Sequence, residues 1–288
     1  MIQARNKLSQ EELSEAKKLI NCCQAYDETY RDPYLSNMLN FDTNMPAFFL
    51  YYEKGELVGL LTVYADDPDV ELAILVHPNH RCQGIARALY RSFEKETASY
   101  PIESVTFQTE RIFLERHPDF ASNWGLVEDE ETETWLGKDR RPYPLANVSN
   151  LEVLLADRSY QDQISQLKFQ AFSEEHESRE VVDRYVAKAL KDPESLLYIL
   201  LKNGQVIGTC TVDLSSNTNY LFGLAIAELE RGKGYGTYLA KSLINQLIEQ
   251  NDKAFQIAVE DSNLGAKRLY EKIGFVKQTQ VVYLKPKV

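Results

Sequence analysis

The chain has 288 residues, of which 44% are hydrophobic, and it carries a formal net charge of −11. Its length is about twice that of a usual domain, so two domains are expected. The acidic balance argues against nucleic acid as a partner, because contact with a phosphate backbone needs a basic face, and no apolar run reaches the roughly 18 residues of a membrane span.

The first half of the chain is predicted to begin with a helix and to continue mainly with strands. Residues 1–7 lack the apolar core of a secretory signal, which favours a cytoplasmic protein. Ser9 and Glu12 have the spacing of a capping box, so a helix is expected from Ser9 to about Tyr30. Strands are predicted at 47–53, 56–64, 70–76 and 102–108, a helix over the apolar positions Ile85, Leu89 and Phe93, and two closing strands at 124–127 and 133–136.

The second half repeats this order of elements. After a strand at 151–156, helices are predicted at 160–172 and 181–190, separated by an acidic turn at 174–177. Strands at 196–202 and 205–213 form a hairpin across Asn203-Gly204, which is a strong turn signal. A strand at 218–227, a helix from Thr237 to Gln250, a strand at 254–259, a helix at 264–272 and a final strand region at 275–284 follow.

The repetition can be checked by position. Gly55 and Gly204 lie 149 positions apart in similar turns, Arg81 and Arg231 lie 150 apart in similar loops, and Gly125 and Gly274 lie 149 apart. A nearly constant offset is hard to obtain by chance, so the chain is predicted to hold two copies of one α/β domain. The expected division is an N-terminal domain at 1–140, a linker at 141–150 that contains two prolines, and a C-terminal domain at 151–288.

A glycine-rich turn stands between the strand at 218–227 and the following helix. Its sequence is Arg231-Gly232-Lys233-Gly234-Tyr235-Gly236. A strand that passes through glycines into a helix leaves backbone N–H groups unpaired at the positive helix end, which is a seat for phosphate. A nucleotide-binding Rossmann or P-loop protein is disfavoured, because Lys233 is followed by glycine instead of serine or threonine and no acidic ribose-binding residue follows about twenty positions later.

The four cysteines and few histidines give no clear metal or disulfide signal. Cys22 and Cys23 are adjacent and cannot readily bridge each other. His77, His80 and Cys82 lie close together, but no second half-site with zinc spacing exists elsewhere. No metal is therefore expected.

Two loops and one later segment carry a family resemblance. The loops are Arg231-x-x-Gly234-x-Gly236 and Arg81-x-x-Gly84-x-Ala86, and the segment contains Asn263, Ala266 and Leu269-Tyr270-Glu271-Lys272-Ile273-Gly274-Phe275. In this combination the chain resembles the GNAT superfamily of N-acetyltransferases, twice over, with the layout of its tandem members. The resemblance implies an α/β (α+β) fold of two domains, each a mixed, mainly antiparallel sheet flanked by helices.

The resemblance also implies a function. It points to an N-acetyltransferase that uses acetyl-CoA as co-substrate and acetylates a primary amine of a small molecule or peptide, with the chemistry in the C-terminal domain. Tyr270 is the expected catalytic acid for the departing thiolate. The expected CoA-binding residues are those of the open strand edge, the loop and the later segment: Leu224, Ala225, Ile226, Arg231, Gly232, Lys233, Gly234, Tyr235, Gly236, Thr237 and Asn263.

The N-terminal half departs from the family pattern. The positions 149 before Tyr270 and Asn263 hold Ala121 and Leu114, and Pro118 interrupts the helix that should carry them. This domain is expected to be degenerate; it either binds CoA without turnover or serves as a wall. Its candidate second CoA site consists of Arg81, Cys82, Gln83, Gly84, Ile85 and Ala86.

Several questions stay open at the level of the sequence. No general base is obvious, although Glu71, Asp213, Glu228, Glu260 and Asp261 are carboxylates on strands or near strand ends. The alternative function is a CoA-binding or scaffold protein in which neither half is an efficient catalyst. The sequence does not specify the acceptor, the acyl group or the oligomeric state.

Overall fold

The structure of the chain, a computed structural model, describes residues 1–146, 148–172 and 178–287. The acidic turn predicted at 174–177 lies outside these residues. The chain forms two units, one of Met1–Trp135 with Gln278–Val288 and one of Leu136–Lys277. Among the described helices, none is both long and apolar enough to cross a membrane.

Both halves of the chain contain strands and helices. The strands are β1 Ile2–Arg5, β2 Phe48–Glu53, β3 Glu56–Tyr64, β4 Asp69–Val76, β5 Ser104–Glu110, β6 Leu126–Lys138, β7 Leu151–Leu155, β8 Ser195–Lys202, β9 Gln205–Asp213, β10 Asn219–Ile226, β11 Phe255–Glu260 and β12 Val276–Pro286. The helices are α1 Gln10–Asp27, α2 Ile85–Thr97, α3 Arg111–Arg116, α4 Phe120–Trp124, α5 Gln161–Phe172, α6 Arg179–Ala189, α7 Tyr235–Gln250 and α8 Leu264–Lys272.

The first unit contains a sheet in the order β1-β2-β3-β4-β5-β12. Neighbouring strands in it are antiparallel except β4 and β5, which are parallel. The helix α1 begins at the predicted place, because Ser9 and Glu12 form the capping box. Phe49 and Leu60 on the sheet and Leu89 on α2 belong to one buried core.

The second unit contains a sheet in the order β7-β8-β9-β10-β11, in which β10 and β11 are the parallel pair. Its core holds the apolar face of α7, including Leu243 and Leu247, together with Tyr198 and Ile257 from the sheet. Each unit is therefore a mixed, mainly antiparallel sheet flanked by helices, as the sequence predicts.

The division into units differs from the sequence expectation in two places. The boundary between the units falls between Trp135 and Leu136, inside β6, instead of at residues 141–150. The C-terminal strand β12 belongs to the first unit, where Val281–Leu284 pair with Phe107–Glu110 of β5. A hydrophobic pattern identifies a strand but not the sheet edge that the strand joins. The pairing of β12 with β5 therefore could not be predicted from the pattern.

Single elements differ as well. The strand β1 was not predicted, and the two closing strands expected at 124–127 and 133–136 are one strand, β6. The weakly helical region before it is split into α3 and α4, on either side of Pro118. The predicted hairpins at Gly55 and Gly204 are confirmed as β2–β3 and β8–β9.

Candidate functional site

The glycine-rich loop leads from β10 into α7. Gly234 is the N-cap residue of α7 and adopts φ +86°, a conformation that side chains other than glycine rarely adopt. The first hydrogen bond of the helix runs from the Tyr238 N–H to the Gly234 carbonyl at 3.0 Å. The N–H groups of Tyr235, Gly236 and Thr237 therefore lie at the helix start without an intrahelical acceptor, and Arg231–Gly234 before them are exposed.

The strand β10 carries a bulge just before this loop. In the pairing with β9, Phe222 lies opposite Thr211 but Ala225 lies opposite Thr209, so two residues, Gly223 and Leu224, face one. Gly223 adopts φ +58°. The bulge was not predicted, because an alternation of apolar residues does not reveal an extra residue in one strand.

The parallel pair β10 and β11 separates at the bulge. The pairing extends from Asn219–Leu221 with Phe255–Ile257 and stops there, although both strands continue. Within the described residues, the β11-facing edge of β10 beyond Leu221 has no strand partner. The predicted CoA-binding residues Leu224, Ala225 and Ile226 lie on this edge, which can accept an extended ligand by strand-like hydrogen bonding.

The side chains around the loop leave an excess of positive charge. Arg231 is held over the strand end by a hydrogen bond from Nε to the Ile226 carbonyl at 3.0 Å. Lys233 donates to the Leu229 carbonyl and to Glu230, and Lys202 donates to the same carboxylate at 3.0 Å. Hydrogen bonds from Lys202 and Lys233 lower the pKa of Glu230, and these two cations with Arg231 are suited to bind phosphate. Lys202 is a contributor that the sequence analysis missed.

Tyr270 lies on α8 and is 6% exposed. Its ring packs edge-on against Phe275 with the centroids 6.0 Å apart. Burial, and secondly the Cys210 thiol, raise the pKa of the phenol, so the hydroxyl keeps its proton throughout the neutral range. The side chain is both a core residue and a group in the protonation state that an acid needs.

Asn263 stands at the start of α8. Its Oδ1 accepts a hydrogen bond from the Ala266 N–H at 3.0 Å, so the side chain caps the helix. The residue is exposed, and its amide NH₂ group is the part that can donate to a ligand.

The carboxylates named as candidate bases are dispersed. Asp213 lies opposite Tyr220 at the start of β10, at the end of the strand away from the glycine loop, and it accepts hydrogen bonds from the Ser215 N–H and hydroxyl. Burial raises the pKa of Asp213 to about 6. Glu228 lies in the 3₁₀ turn after β10, and Asp261 forms an ion pair with Lys267. None of these observations brings a carboxylate to the bulge.

A cation occupies that place instead. Lys168 on α5 is 5% exposed, and a Cβ atom added to Gly223 would lie 2.7 Å from its Nζ. Burial lowers the pKa of Lys168 to about 8. Lys168 was not predicted from the sequence, although its position beside Leu167 in the apolar stripe of a helix was a usable signal.

The first unit repeats the loop with different details. Arg81 donates from Nε to the Val76 carbonyl at 3.0 Å, the counterpart of the bond made by Arg231, but its guanidinium also forms two hydrogen bonds with Asp27. Gly84 is the N-cap residue of α2 at φ +81°. Cys82, which corresponds to Gly232, is held at φ +60°, so this loop contains a strained residue that the other lacks.

A cavity of about 680 Å³ lies in the first unit. It is lined by five residues of the candidate second CoA site, Arg81, Cys82, Gly84, Ile85 and Ala86, while Gln83 is not part of its wall. Between β4 and β5 the pairing stops at Leu72 and Phe107, so this parallel pair also separates. The register of β3 with β4 is continuous from Gly59 to Tyr64, so β4 has no bulge.

Glu71 on β4 is a carboxylate of the first unit whose pKa is shifted toward neutrality. Burial raises its pKa to about 7, against the opposing effect of Arg31. Its carboxylate accepts a hydrogen bond from the Gln108 amide. Arg31 in turn lies over the Trp135 ring, 5.4 Å from the centroid. The residue is therefore a half-buried, hydrogen-bonded carboxyl group, unlike a solvated strand carboxylate.

No group of three or more His, Cys, Asp or Glu side chains within the described part of the chain is arranged to hold a metal ion. His80, from the cluster noted in the sequence, instead hydrogen-bonds Glu53 at 2.9 Å.

Known proteins show the same two-part pattern. The sequence profile of the Acetyltransferase (GNAT) family matches residues 13–137 and again 161–275. A mycothiol acetyltransferase from Clavibacter sepedonicus is 25% identical over 230 residues, which cover 76% of this chain and 73% of that protein.

Solved structures share the fold across the whole chain. A GCN5-related N-acetyltransferase from Sphaerobacter thermophilus superposes with a TM-score of 0.70 at 16% identity, covering 100% of this chain and 96% of its own. A tandem GNAT protein from the clavulanic acid biosynthesis pathway gives a TM-score of 0.71 at 15% identity, covering 99% and 97%. The family profile spans most of the chain in two copies, and we conclude that the chain belongs to the GNAT family of acetyltransferases as a tandem member.

Proposed function

We propose that the chain is an acetyl-CoA-dependent N-acetyltransferase that acetylates a primary amine in its second unit. One observation carries this proposal: the free N–H groups at the start of α7 follow directly on the open edge of β10. A pyrophosphate suits the helix N-terminus, and an extended amide-bearing arm suits the strand edge. Acetyl-CoA contains both groups in that order.

The chain's own residues supply parts of the chemistry. The neutral acceptor nitrogen bonds to the thioester carbon, the carbon–sulfur bond breaks, and the nitrogen releases one proton to water, which offsets the proton given to the thiolate. A backbone N–H on the open edge of β10 is suited to the developing oxyanion. Tyr270 is protonated at neutral pH, and we assign it to protonate the departing thiolate. No covalent enzyme intermediate is needed.

The first unit is a second candidate site for CoA. Its cavity of about 680 Å³ and the loop of Gly84 favour binding. Three features favour a first unit that binds CoA without efficient turnover: β4 has no bulge, α3 and α4 are separate helices, and position 121 holds Ala121 instead of a tyrosine. A protein in which neither unit catalyses is the alternative function, and replacement of Tyr270 by phenylalanine separates it from the enzyme.

Calorimetric titration of acetyl-CoA tests the proposal. We expect saturable binding to the parent protein, and at least about tenfold weaker binding to Gly234→Val, because a side chain at φ +86° distorts the N–H groups of the loop. Gly204→Val is the matched control, since Gly204 has φ +80° and an equally open environment in the β8–β9 hairpin. A folded parent protein that binds neither CoA nor acetyl-CoA would overturn the proposal.

A further inference from the structure

Lys168 is a buried cation in the apolar face of α5. It lies in the stripe of Ile164 and Leu167, and only 5% of it is exposed. Its Nζ is 3.4 Å from the Thr211 hydroxyl, a long hydrogen bond. The rings of Phe172 and Tyr185 lie 5.9 and 5.5 Å away, so two aromatic faces flank the ammonium.

The ammonium faces the bulge of β10. A Cβ atom at Gly223 would lie 2.7 Å from Nζ, so the absence of a side chain there makes the room for it. The open backbone edge of β10 begins at the same place. Ile226 lies about 10 Å further along the strand, and the N-terminus of α7, where we propose that phosphate binds, lies beyond Ile226. The Lys168 Nζ is therefore at the end of the proposed CoA site that is away from the phosphate.

A buried ammonium needs a counter-charge, and the described residues supply no carboxylate to Lys168. Among residues 1–146, 148–172 and 178–287, no carboxylate forms an ion pair with Nζ, and the Cys210 thiol is the one titratable group that acts on it. A buried charge needs a partner, and a neutral hydroxyl and two rings supply only part of the compensation. The pKa of about 8 nevertheless keeps Lys168 mainly protonated at pH 7. A ligand anion at this position would complete the site.

We infer that Lys168 binds a carboxylate of the acceptor, and that the acceptors are small amines with an adjacent acid group, such as α-amino acids. The inference rests on the proposed function, since it assigns the amine of the same molecule to the thioester. In an α-amino acid one carbon joins the two groups, so a carboxylate on Nζ leaves the amine beside the bulge. Phe172 is 52% exposed at the end of α5, and its ring is available to an apolar side chain of the acceptor.

The same geometry disfavours other acceptors. An aminoglycoside or a polyamine brings further positive charge without an acid group, and like charges repel strongly where water is excluded. A peptide N-terminus or a protein lysine has its nearby carboxyl group in an amide bond. Specificity would therefore arise from one favourable charge pair and from repulsion of cationic competitors.

Matched pairs of acceptors test the inference. Thiol release from acetyl-CoA is measured with alanine and alaninamide, with phenylalanine and phenylalaninamide, and with spermidine, for the parent protein and for Lys168→Met. We expect kcat/KM for the acids to fall about 100-fold in K168M, and kcat/KM for the amides to change less than about threefold, because only the acids lose a buried charge partner. The comparison between proteins cancels the difference in amine pKa between acid and amide.

Other outcomes separate the possible failures. An equal loss for acids and amides in K168M overturns the inference and would indicate a role in the chemistry. A parent protein that uses spermidine as well as the acids also overturns it. If no amine is turned over, the binding of the same acid and amide pairs to CoA-saturated protein is measured by calorimetry. Binding without preference for the acids then overturns the inference. Absence of acetyl-CoA binding would instead overturn the proposed function. Lys168→Arg, which keeps the charge, is expected to retain part of the preference for acids.

Discussion

At the scale of single residues, Tyr270 separates an enzyme from a CoA-binding scaffold. Tyr270→Phe keeps the ring that packs against Phe275 and removes only the hydroxyl. We expect turnover to fall about 100-fold or more, because the thiolate loses its proton donor, while acetyl-CoA affinity measured by calorimetry stays within about threefold. Equal thiol release above the uncatalysed rate would remove Tyr270 from the chemistry, whereas release at the uncatalysed rate by both proteins would favour the scaffold.

Lys168 makes a prediction about stability that is independent of any ligand. Its pKa falls from 10.5 in the unfolded chain to about 8 in the fold. Below pH 8 both states are protonated and the cost of burying the charge is fully present. As pH rises from 8 to 10.5, the folded state has released its proton while the unfolded state retains it, so stability increases. Above 10.5 the cost has vanished.

Lys168→Met is therefore expected to raise the free energy of unfolding by about 3 kcal/mol at pH 7, and the gain should shrink to nothing above pH 10.5. Urea unfolding of parent and variant across this range measures it. Lys95→Met is the control, because the Lys95 side chain is 81% exposed and should show no such dependence. A gain that does not vary with pH would mean that packing, and not the buried charge, causes it.

The sequence predicted some of these residues and not others, for physical reasons. The turn at Gly234 was predictable because a glycine between a strand and a helix readily adopts the positive φ that the turn requires. Asn263 was assigned to the ligand and is also a helix cap, since one amide can accept and donate at once. Lys168 was missed because a lysine in a helix is usually solvated, and only its place among apolar residues suggested otherwise.

At the scale of elements, the bulge in β10 depends on Gly223. Gly223→Ala places a side chain at φ +58° and 2.7 Å from the Lys168 Nζ. We expect a loss of about 2 kcal/mol in the free energy of unfolding, from strain and displacement of the lysine together. Gly125→Ala is the matched control, since Gly125 has φ +65° with nothing near its added Cβ, and should cost only the strain.

A double-mutant cycle isolates the contact. In a Lys168→Ala background the clash is absent, so Gly223→Ala should then cost about as little as Gly125→Ala. Urea unfolding of the four proteins gives the coupling energy. Additive losses would show that the bulge and the lysine do not interact.

Some elements could be predicted from the hydrophobic pattern of the sequence and others could not. Most strands and helices followed from apolar periodicity and glycine turns, including both hairpins. The bulge did not, because one extra residue leaves the apolar run of β10 intact. The short strand β1 did not either, because four residues with mixed polarity carry no readable period.

At the scale of the whole molecule, the sequence predicted the duplication and not the assignment of the last strand. The repeat is real in detail: Arg81 and Arg231 make the same 3.0 Å hydrogen bond to the carbonyls of Val76 and Ile226. Strand pairing across more than 150 residues depends on which sheet edge is open, and a local pattern does not encode this. The first unit is therefore made from both ends of the chain.

This composition predicts how fragments behave. A fragment of residues 1–140 lacks β12, so the edge of β5 at Phe107–Glu110 is unpaired and the burial of Val282 and Leu284 in the first core is lost. Two such side chains contribute about 4 kcal/mol, a large part of the stability of one domain. We expect the fragment to unfold at markedly lower urea concentration than the first unit of the intact chain, or to be unfolded, when followed by circular dichroism.

The missing strand can be restored in a joined protein. In this protein a flexible glycine-serine linker connects residues 1–135 to residues 278–287. We expect it to fold cooperatively, because the β5–β12 ladder and the buried Val282 and Leu284 are then present in one short chain. The joined protein with Val282→Asp should fail to fold, since the change places an unpaired charge in the core and leaves the length and the linker unchanged. If the fragment of residues 1–140 unfolds at the same urea concentration as the joined protein, β12 is not part of the first folding unit.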